Sequence, residues 1–261
     1  MCVMTRRDLV TLTVWNESTR VELAASLRGS VVVLPTGATE QHGPHLATGH
    51  DTFVVTHIAR KASERAAAAC DVVLAPALPF GSSAHHLAFG GTLSLSTDTY
   101  YQVVRDLVES ILEDGAQRVL LLNGHGGNHE LNELVARDVS IEQPSSSGVV
   151  LAAASYWDIA RPAVLSDGRF SDLLLPGHAG QFETATMLAL DASRVRNRDT
   201  REHDPYVASP VPGMRVEAAN RWESFDGYTD FPHRATAEQG AELLEIVIGE
   251  VAKAIVALAR L

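Results

Sequence analysis

The chain has 261 residues, of which 46% are hydrophobic and 20% are charged, and its formal net charge is −11 at pH 7. This composition is typical of a globular protein with a sizeable core, and we expect one domain over residues 1–261. The acidic balance argues against a nucleic-acid partner, and no apolar run is long enough to predict a membrane span. Two cysteines exclude a disulfide framework and a thiolate zinc site, so we expect a reducing, cytoplasmic location.

The order of apolar patterns along the chain predicts an α/β protein. Short apolar runs predict four buried strands, at 31–35, 72–75, 119–122 and 149–154. Patterns of helical period predict helices at 16–29, 51–69, 98–115, 129–140, 177–190 and 236–258. The last of these begins with a capping box, Thr236 with Gln239. Strands that alternate with helices predict a mostly parallel sheet with helices on both faces.

The loop after the first predicted strand carries three side chains that suit divalent metals, Glu40, His42 and Asp51. On an extended backbone, the Glu-x-His spacing points two of these side chains to the same side. The turn at Gly43-Pro44 lets Asp51 return to the same point. Carboxylates and imidazole bind zinc, iron or manganese. The alternative is an ordinary polar loop in which Asp51 is a helix N-cap.

The polar loops after the next two strands are expected to lie beside the first, because ligands bind at the carboxyl ends of parallel strands. In the second loop, Ser82 or Ser83 and also His86 are candidate substrate contacts, or else ordinary surface residues. The third loop has three glycines in six residues, which let the backbone approach a ligand closely. His125, at the end of the strand, can reach the same metal centre, and the alternatives are a glycine-rich phosphate cradle and a tight turn with a capping Asn.

A fourth polar stretch, residues 177–184, starts the helix that runs to about residue 190. His178 is a candidate proton-transfer group, and Glu183 is a candidate metal ligand and catalytic residue. Glu183 could equally be a helix-dipole residue of the first turn. Tyr156 and Trp157 follow the fourth strand, where they either wall the substrate pocket or belong to the core.

Four ordered motifs of this chain together resemble the creatininase family, over a stretch from about residue 31 to residue 240. The motifs are Glu40-Gln41-His42-Gly43-Pro44-His45-Leu46 with Asp51, Phe89-Gly90-Gly91-Thr92-Leu93-Ser94-Leu95, Asn123-Gly124-His125-Gly126-Gly127-Asn128, and His178-Ala179-Gly180-Gln181-Phe182-Glu183-Thr184. The resemblance implies a three-layer α/β/α sandwich and metal-dependent amide hydrolysis. It also implies a homo-oligomer, a hexamer or a larger ring or stack.

The resemblance further implies two divalent ions per chain, zinc, iron or manganese. Asp51 would bridge the ions, Glu40 and His125 would complete one site, and His42 would belong to the other. Gly127 stands where creatininase has a glutamate ligand, and Glu183 is the expected replacement. Gly177 replaces another glutamate of creatininase, which makes creatinine itself a doubtful substrate.

The remaining expected roles follow from the same resemblance. His178 would protonate the leaving amine, while His45, Asn123 and Asn128 would support the ligands rather than bind an ion. The first and last motifs are most similar to a peptidase subgroup of the family. That subgroup cleaves a small modified peptide and releases its C-terminal Val-Tyr-derived part during redox-cofactor biosynthesis. The alternatives are a cyclic amide or a formamide as substrate, or a metal-stabilised assembly protein without catalysis.

The long connection 197–234 has little periodicity, and we expect it to be an oligomer contact or a lid. Trp222, Phe225 and Tyr228 lie in this connection and would need burial, for which a neighbouring subunit is one candidate surface.

Overall fold

A computed structural model describes residues 11–196, 211, 214 and 216–261. Within these residues, five strands form one sheet in the order β1-β3-β2-β4-β5, and every pairing is parallel. The strands are β1 Leu12–Val14, β2 Val31–Thr36, β3 Val72–Leu74, β4 Arg118–Asn123 and β5 Val150–Ser155. The register pairs Thr36 with Asn123, so the carboxyl ends of β2 and β4 are neighbours at the centre of the sheet.

Helices cover both faces of this sheet. They are α1 Arg20–Ser26, α2 His50–Ala66, α3 Thr97–Glu113, α4 His129–Glu142, α5 Tyr156–Ser166, α6 Gln181–Asp191 and α7 Ala237–Leu258. Val31 and Val33 belong to a core with α2, α5, α6 and α7, whereas Val32 and Leu34 belong to a second core with α1, α3 and α4. This alternation produces three layers, because successive side chains of a strand point to opposite faces. None of the described helices is long and apolar enough to cross a membrane.

The four predicted strands are confirmed to within two residues, and the capping box of Thr236 and Gln239 is confirmed. The helix predicted from residue 98 begins at Thr97, and its N-cap is Ser96, whose side chain accepts a hydrogen bond from the Thr99 backbone N–H, while Asp98 lies in the first turn. Two elements were not predicted, β1 and α5. Helix α5 contains Pro162, which has no N–H and ordinarily ends a helix.

Two glycines of α7 should respond oppositely to alanine. A Cβ at Gly240 would lie 1.8 Å from the Ala185 carbonyl oxygen of α6, whereas a Cβ at Gly249 would approach only Arg65, at 3.4 Å. We expect Gly240→Ala to destabilise the fold by about 1–3 kcal/mol, since backbone must move. Gly249→Ala should stabilise it by about 0.5–1 kcal/mol. Thermal unfolding of both variants measures this difference, and equal melting temperatures would contradict it.

Candidate metal centre

The centre forms where the ends of β2 and β4 meet the start of α2. The Gly124 N–H donates to the Thr36 carbonyl oxygen at 2.8 Å, which holds the two loops together. A Cβ at Gly124 would lie 2.5 Å from the Val55 Cβ, so glycine lets α2 approach the loop after β4. Asp51 occupies the first turn of α2, where the positive end of the helix dipole favours a carboxylate.

One half of the centre consists of Glu40, Asp51 and His125, which are all buried. His125 Nδ1 lies 3.2 Å from Glu40 Oε1 and 3.1 Å from Asp51 Oδ2. Its Nε2 lies 3.1 Å from the Ser82 carbonyl oxygen and 3.1 Å from the Ser83 hydroxyl. Because a carbonyl oxygen can only accept, Nε2 carries a hydrogen, and Nδ1 is the ring atom that faces the two carboxylates and could bind an ion.

The other half is built around His42. Its Nε2 lies 3.0 Å from Asp51 Oδ1 and 3.6 Å from Glu183 Oε2, while its Nδ1 lies 3.3 Å from the Glu40 carbonyl oxygen. Glu183 Oε2 also accepts a hydrogen bond from the Ala179 N–H at 2.6 Å. The two oxygens of Asp51 therefore face two separate groups of side chains.

Several buried polar atoms of the centre fit metal ions. Glu40 Oε2 makes no hydrogen bond within the described part of the chain, and the charged contacts of His42 Nε2 and Asp51 Oδ2 given above lack hydrogen-bond geometry. A buried polar atom without a partner is costly. Imidazole nitrogens and carboxylate oxygens are suitable donors for zinc, iron or manganese. These residues therefore fit divalent metal ions.

The charges of the centre shift several pKa values. Burial alone would lower the pKa of His42, but the carboxylates of Asp51, Glu183 and Glu40 outweigh it and raise the pKa to about 10. Burial raises the pKa of Glu183 to about 8. Without metal, the cluster therefore holds protons at neutral pH. Because metal ligands must be deprotonated, ion binding has to displace these protons.

A glutamine organises the histidines beside the centre. The Gln41 side-chain N–H₂ lies 2.8 Å from the Gly227 carbonyl oxygen, 2.9 Å from His86 Nδ1 and 3.1 Å from His178 Nε2. His178 Nε2 is also 3.0 Å from the backbone carbonyl oxygen of Gln41, to which it can only donate. The second amide hydrogen of Gln41 then goes to His86 Nδ1. His178 Nδ1 is left as a lone pair, 3.6 Å from Glu40 Oε1.

The three residues expected to support ligands have different partners. Asn123 donates to the His125 carbonyl oxygen at 2.7 Å and accepts from the His125 N–H at 3.1 Å. Asn128 accepts from the Ser82 N–H at 3.0 Å. His45 is buried, and its Nε2 lies 2.8 Å from the carbonyl oxygen of Ala179, the residue whose N–H donates to Glu183. His45 thus holds the loop that precedes α6.

The predicted substrate contacts separate into two groups. Ser82 lies next to the centre through its carbonyl oxygen, and the buried His86 ring stacks on His178 at a centroid distance of 4.2 Å. Tyr156 and Trp157 are buried in the core that includes α2, α6 and α7. The structure therefore places these two rings in the core, which was the alternative to a pocket wall.

The aromatic residues of the connection before α7 are covered by this chain itself. Phe225 and Tyr228 are buried, which corrects the expectation of a neighbouring subunit as the covering surface. Trp222 is half-buried, and its ring meets those of His86 and His178 edge-on, at 4.6 and 5.2 Å. The oligomer-contact or lid prediction for 197–234 falls partly on residues outside the described ranges.

Sequence reasoning missed two residues of the centre, His50 and Trp222. His50 is the first residue of α2 and is completely buried. Its position next to Asp51 was a weak signal, because consecutive side chains of a helix point in different directions. Trp222 offered no signal, since its distance along the chain from every motif hid its contact with them.

Gly127 leaves no room for a side chain. A Cβ there would lie 2.1 Å from the Ser82 carbonyl oxygen and 2.6 Å from His125 Nε2, whereas a Cβ at Gly126 would meet nothing within 4 Å. A glutamate ligand at Gly127 is therefore incompatible with this loop. Glu183 instead brings its carboxylate to His42 from the opposite side of the centre.

Known proteins share this fold and much of this sequence. The creatinine amidohydrolase of Pseudomonas putida is 28% identical over 241 residues, which cover 86% of this chain and 88% of the relative. The mycofactocin precursor peptide peptidase of Mycobacterium tuberculosis is 28% identical over 233 residues, or 84% of this chain and 82% of the relative. A 3-dehydro-scyllo-inosose hydrolase of Thermotoga maritima is 31% identical over 97 residues, covering 37% of this chain and 30% of the relative.

Solved creatininase structures superpose over nearly the whole chain. A manganese form of creatininase has a TM-score of 0.76 at 27% identity, and the match covers 94% of this chain and 98% of that chain. A Zn-Zn form of a creatininase mutant has a TM-score of 0.75 at 27% identity, and the match covers 94% of this chain and 97% of that chain. The family profile described as creatininase, creatinine amidohydrolase, matches residues 16–255. This chain belongs to the creatininase family.

Proposed function

We propose that this metal-dependent amidohydrolase uses two divalent ions to cleave an amide bond in a small modified peptide, the mycofactocin precursor. The observation that carries the two-ion proposal is the orientation of Asp51. Its Oδ2 faces His125 at 3.1 Å, and its Oδ1 faces His42 at 3.0 Å. A carboxylate arranged in this way is suited to bridge two ions.

In this proposal, the chain's residues hold the ions and move one proton. Glu40, His125 and Asp51 would hold one ion, and His42, Glu183 and Asp51 the other. When bound, the ions supply Lewis-acid polarisation of an amide carbonyl and lower the pKa of water towards neutrality. His178 would take up at Nδ1 the proton that the attacking water loses and deliver it to the nitrogen of the leaving amine as the amide C–N bond breaks. The Gln41 carbonyl oxygen keeps the hydrogen on Nε2 and so leaves Nδ1 open.

Two observations favour a peptide over creatinine. The closed position at Gly127 removes the glutamate that creatininase uses as a ligand. The half-exposed Trp222 beside His178 offers a flat apolar surface on which a tyrosine-derived ring can stack. The relative from Mycobacterium tuberculosis is named as a peptidase of the mycofactocin precursor peptide. A cyclic amide or a formamide is the second candidate substrate class.

A direct assay separates these substrates. The purified protein, loaded with zinc, iron or manganese in parallel, is incubated with the modified precursor peptide or with creatinine, and products are identified by mass spectrometry. We expect release of the C-terminal part of the peptide and no conversion of creatinine. Conversion of creatinine without peptide cleavage would overturn the substrate assignment and leave the two-ion centre standing.

Replacement of Glu183 tests the second ion site. We expect Glu183→Gln to lower the metal content from two equivalents towards one, because an amide is a much weaker ligand than a carboxylate. Metal content is measured by elemental analysis after purification without added metal. Glu238→Gln is the matched control, since Glu238 also lies in a first helical turn but is exposed. One equivalent in both the unmodified protein and Glu183→Gln would contradict the assignment.

A further inference from the structure

The side chain of His50 is unexplained by packing alone. It is fully buried, and neither ring nitrogen has a hydrogen-bond partner in the described residues. Its ring centroid lies 4.8 Å from that of His42. A neutral imidazole carries one N–H donor and one lone pair, and burial of both without partners is unfavourable. A ligand that accepts this lone pair would relieve part of that cost.

His50 lies within reach of the same point as three other ligands. Single donor atoms of His42, His50, Asp51 and Glu183 all lie within 4.8 Å of one another. We infer that His50 is a fourth protein ligand of the ion held by His42, Asp51 and Glu183. This inference rests on the two-ion centre proposed above and specifies its second half.

The assignment explains how the second ion is held although Gly127 offers no side chain. Two imidazoles and two carboxylates would surround this ion, whereas one imidazole and two carboxylates would surround the other. Nitrogen-rich sites favour zinc and cobalt, while oxygen-rich sites suit manganese better. The two ions should therefore differ in affinity, and a chelator should remove the ion held by Glu40 and His125 first.

The test replaces the ring nitrogens while keeping a ring in place. We expect His50→Phe to keep one zinc equivalent and to weaken binding of the other by about 100-fold or more, since even the loss of a residue supporting a ligand costs 10–100-fold. Competitive titration with a chromophoric zinc chelator measures both affinities. His57→Phe is the control on the same helix, because His57 is half-buried and lies along a groove outside the centre.

The outcomes separate this inference from the proposed function. Two tightly bound zinc ions in His50→Phe, with unchanged affinities, would overturn the role of His50 and leave the two-ion centre intact. A single zinc equivalent in the unmodified protein would overturn the two-ion centre and the His50 assignment with it. His42→Ala should reproduce the loss seen in His50→Phe, since both residues would serve the same ion.

A second measurement does not depend on the folding of a variant. Zinc-edge X-ray absorption of the unmodified, fully loaded protein counts imidazoles by their multiple scattering. With His50 bound, three imidazoles (His42, His50 and His125) are shared by two ions. If His50 is only a core residue, two imidazoles are shared by two ions, and this count would overturn the inference.

Discussion

The substitution Asp51→Asn should lower kcat/KM for amide cleavage by at least about 10³-fold. Ions contribute several kcal/mol to amide hydrolysis, and each 1.36 kcal/mol is a factor of ten. An asparagine keeps the shape of Asp51 but is uncharged and has a single side-chain oxygen. It therefore cannot present one carboxylate oxygen to the His42 side of the centre and another to the His125 side. Steady-state kinetics and metal analysis should show the loss of rate together with the loss of metal.

Asp98→Asn is the matched control for this substitution. Asp98 also lies in the first turn of a helix, but it is exposed on α3. Its replacement removes the same favourable interaction with a helix dipole, about 0.3–1 kcal/mol, without touching the centre. If Asp51→Asn retained two ions and most of its activity, the bridging role of Asp51 would be wrong.

We expect His178→Ala to lower kcat by about 10²–10⁴-fold, which is the usual contribution of a positioned acid–base group. Burial holds the pKa of His178 well below its usual range, with a further contribution from the neighbouring His42. The neutral ring has an open Nδ1 that can receive a proton. Metal content should stay at two equivalents, because neither of the two proposed ion sites uses His178 as a ligand.

Imidazole added to the buffer distinguishes proton transfer from structural support in His178→Ala. A small imidazole can enter the vacated space and restore part of the rate if His178 carries a proton. The same addition should leave Asp51→Asn inactive, since it restores no ligand bridge. A variant that loses metal, or whose rate imidazole does not raise, would contradict the assigned role.

Much of the fold could be predicted from local patterns. The run from Val31 to Leu34 is short and rich in β-branched valine, which favours a strand over a helix, and the strand ends one residue after Pro35. The strand β1 escaped prediction because its three residues include the polar Thr13, whereas the equally short β3 is a continuous apolar run. Helix α5 escaped because Pro162 masks a helical pattern that tertiary packing nevertheless stabilises.

The candidate centre was predicted as far as motif spacing allows. Strand order brought Glu40, His42, Asp51 and His125 together, since all follow strand ends or begin the adjacent helix. The roles of His45 and His50 could not be read in this way. Both are histidines near the first motif, and only their three-dimensional neighbours show that one supports the loop before α6 and the other faces His42.

The closed space at Gly127 has an evolutionary consequence. A glutamate introduced at position 127 cannot by itself supply a carboxylate to this centre, because its side chain would collide with the Ser82 backbone. The strand-end loop that carries Ser82 would have to shift as well. A carboxylate at this position therefore requires at least two coordinated changes.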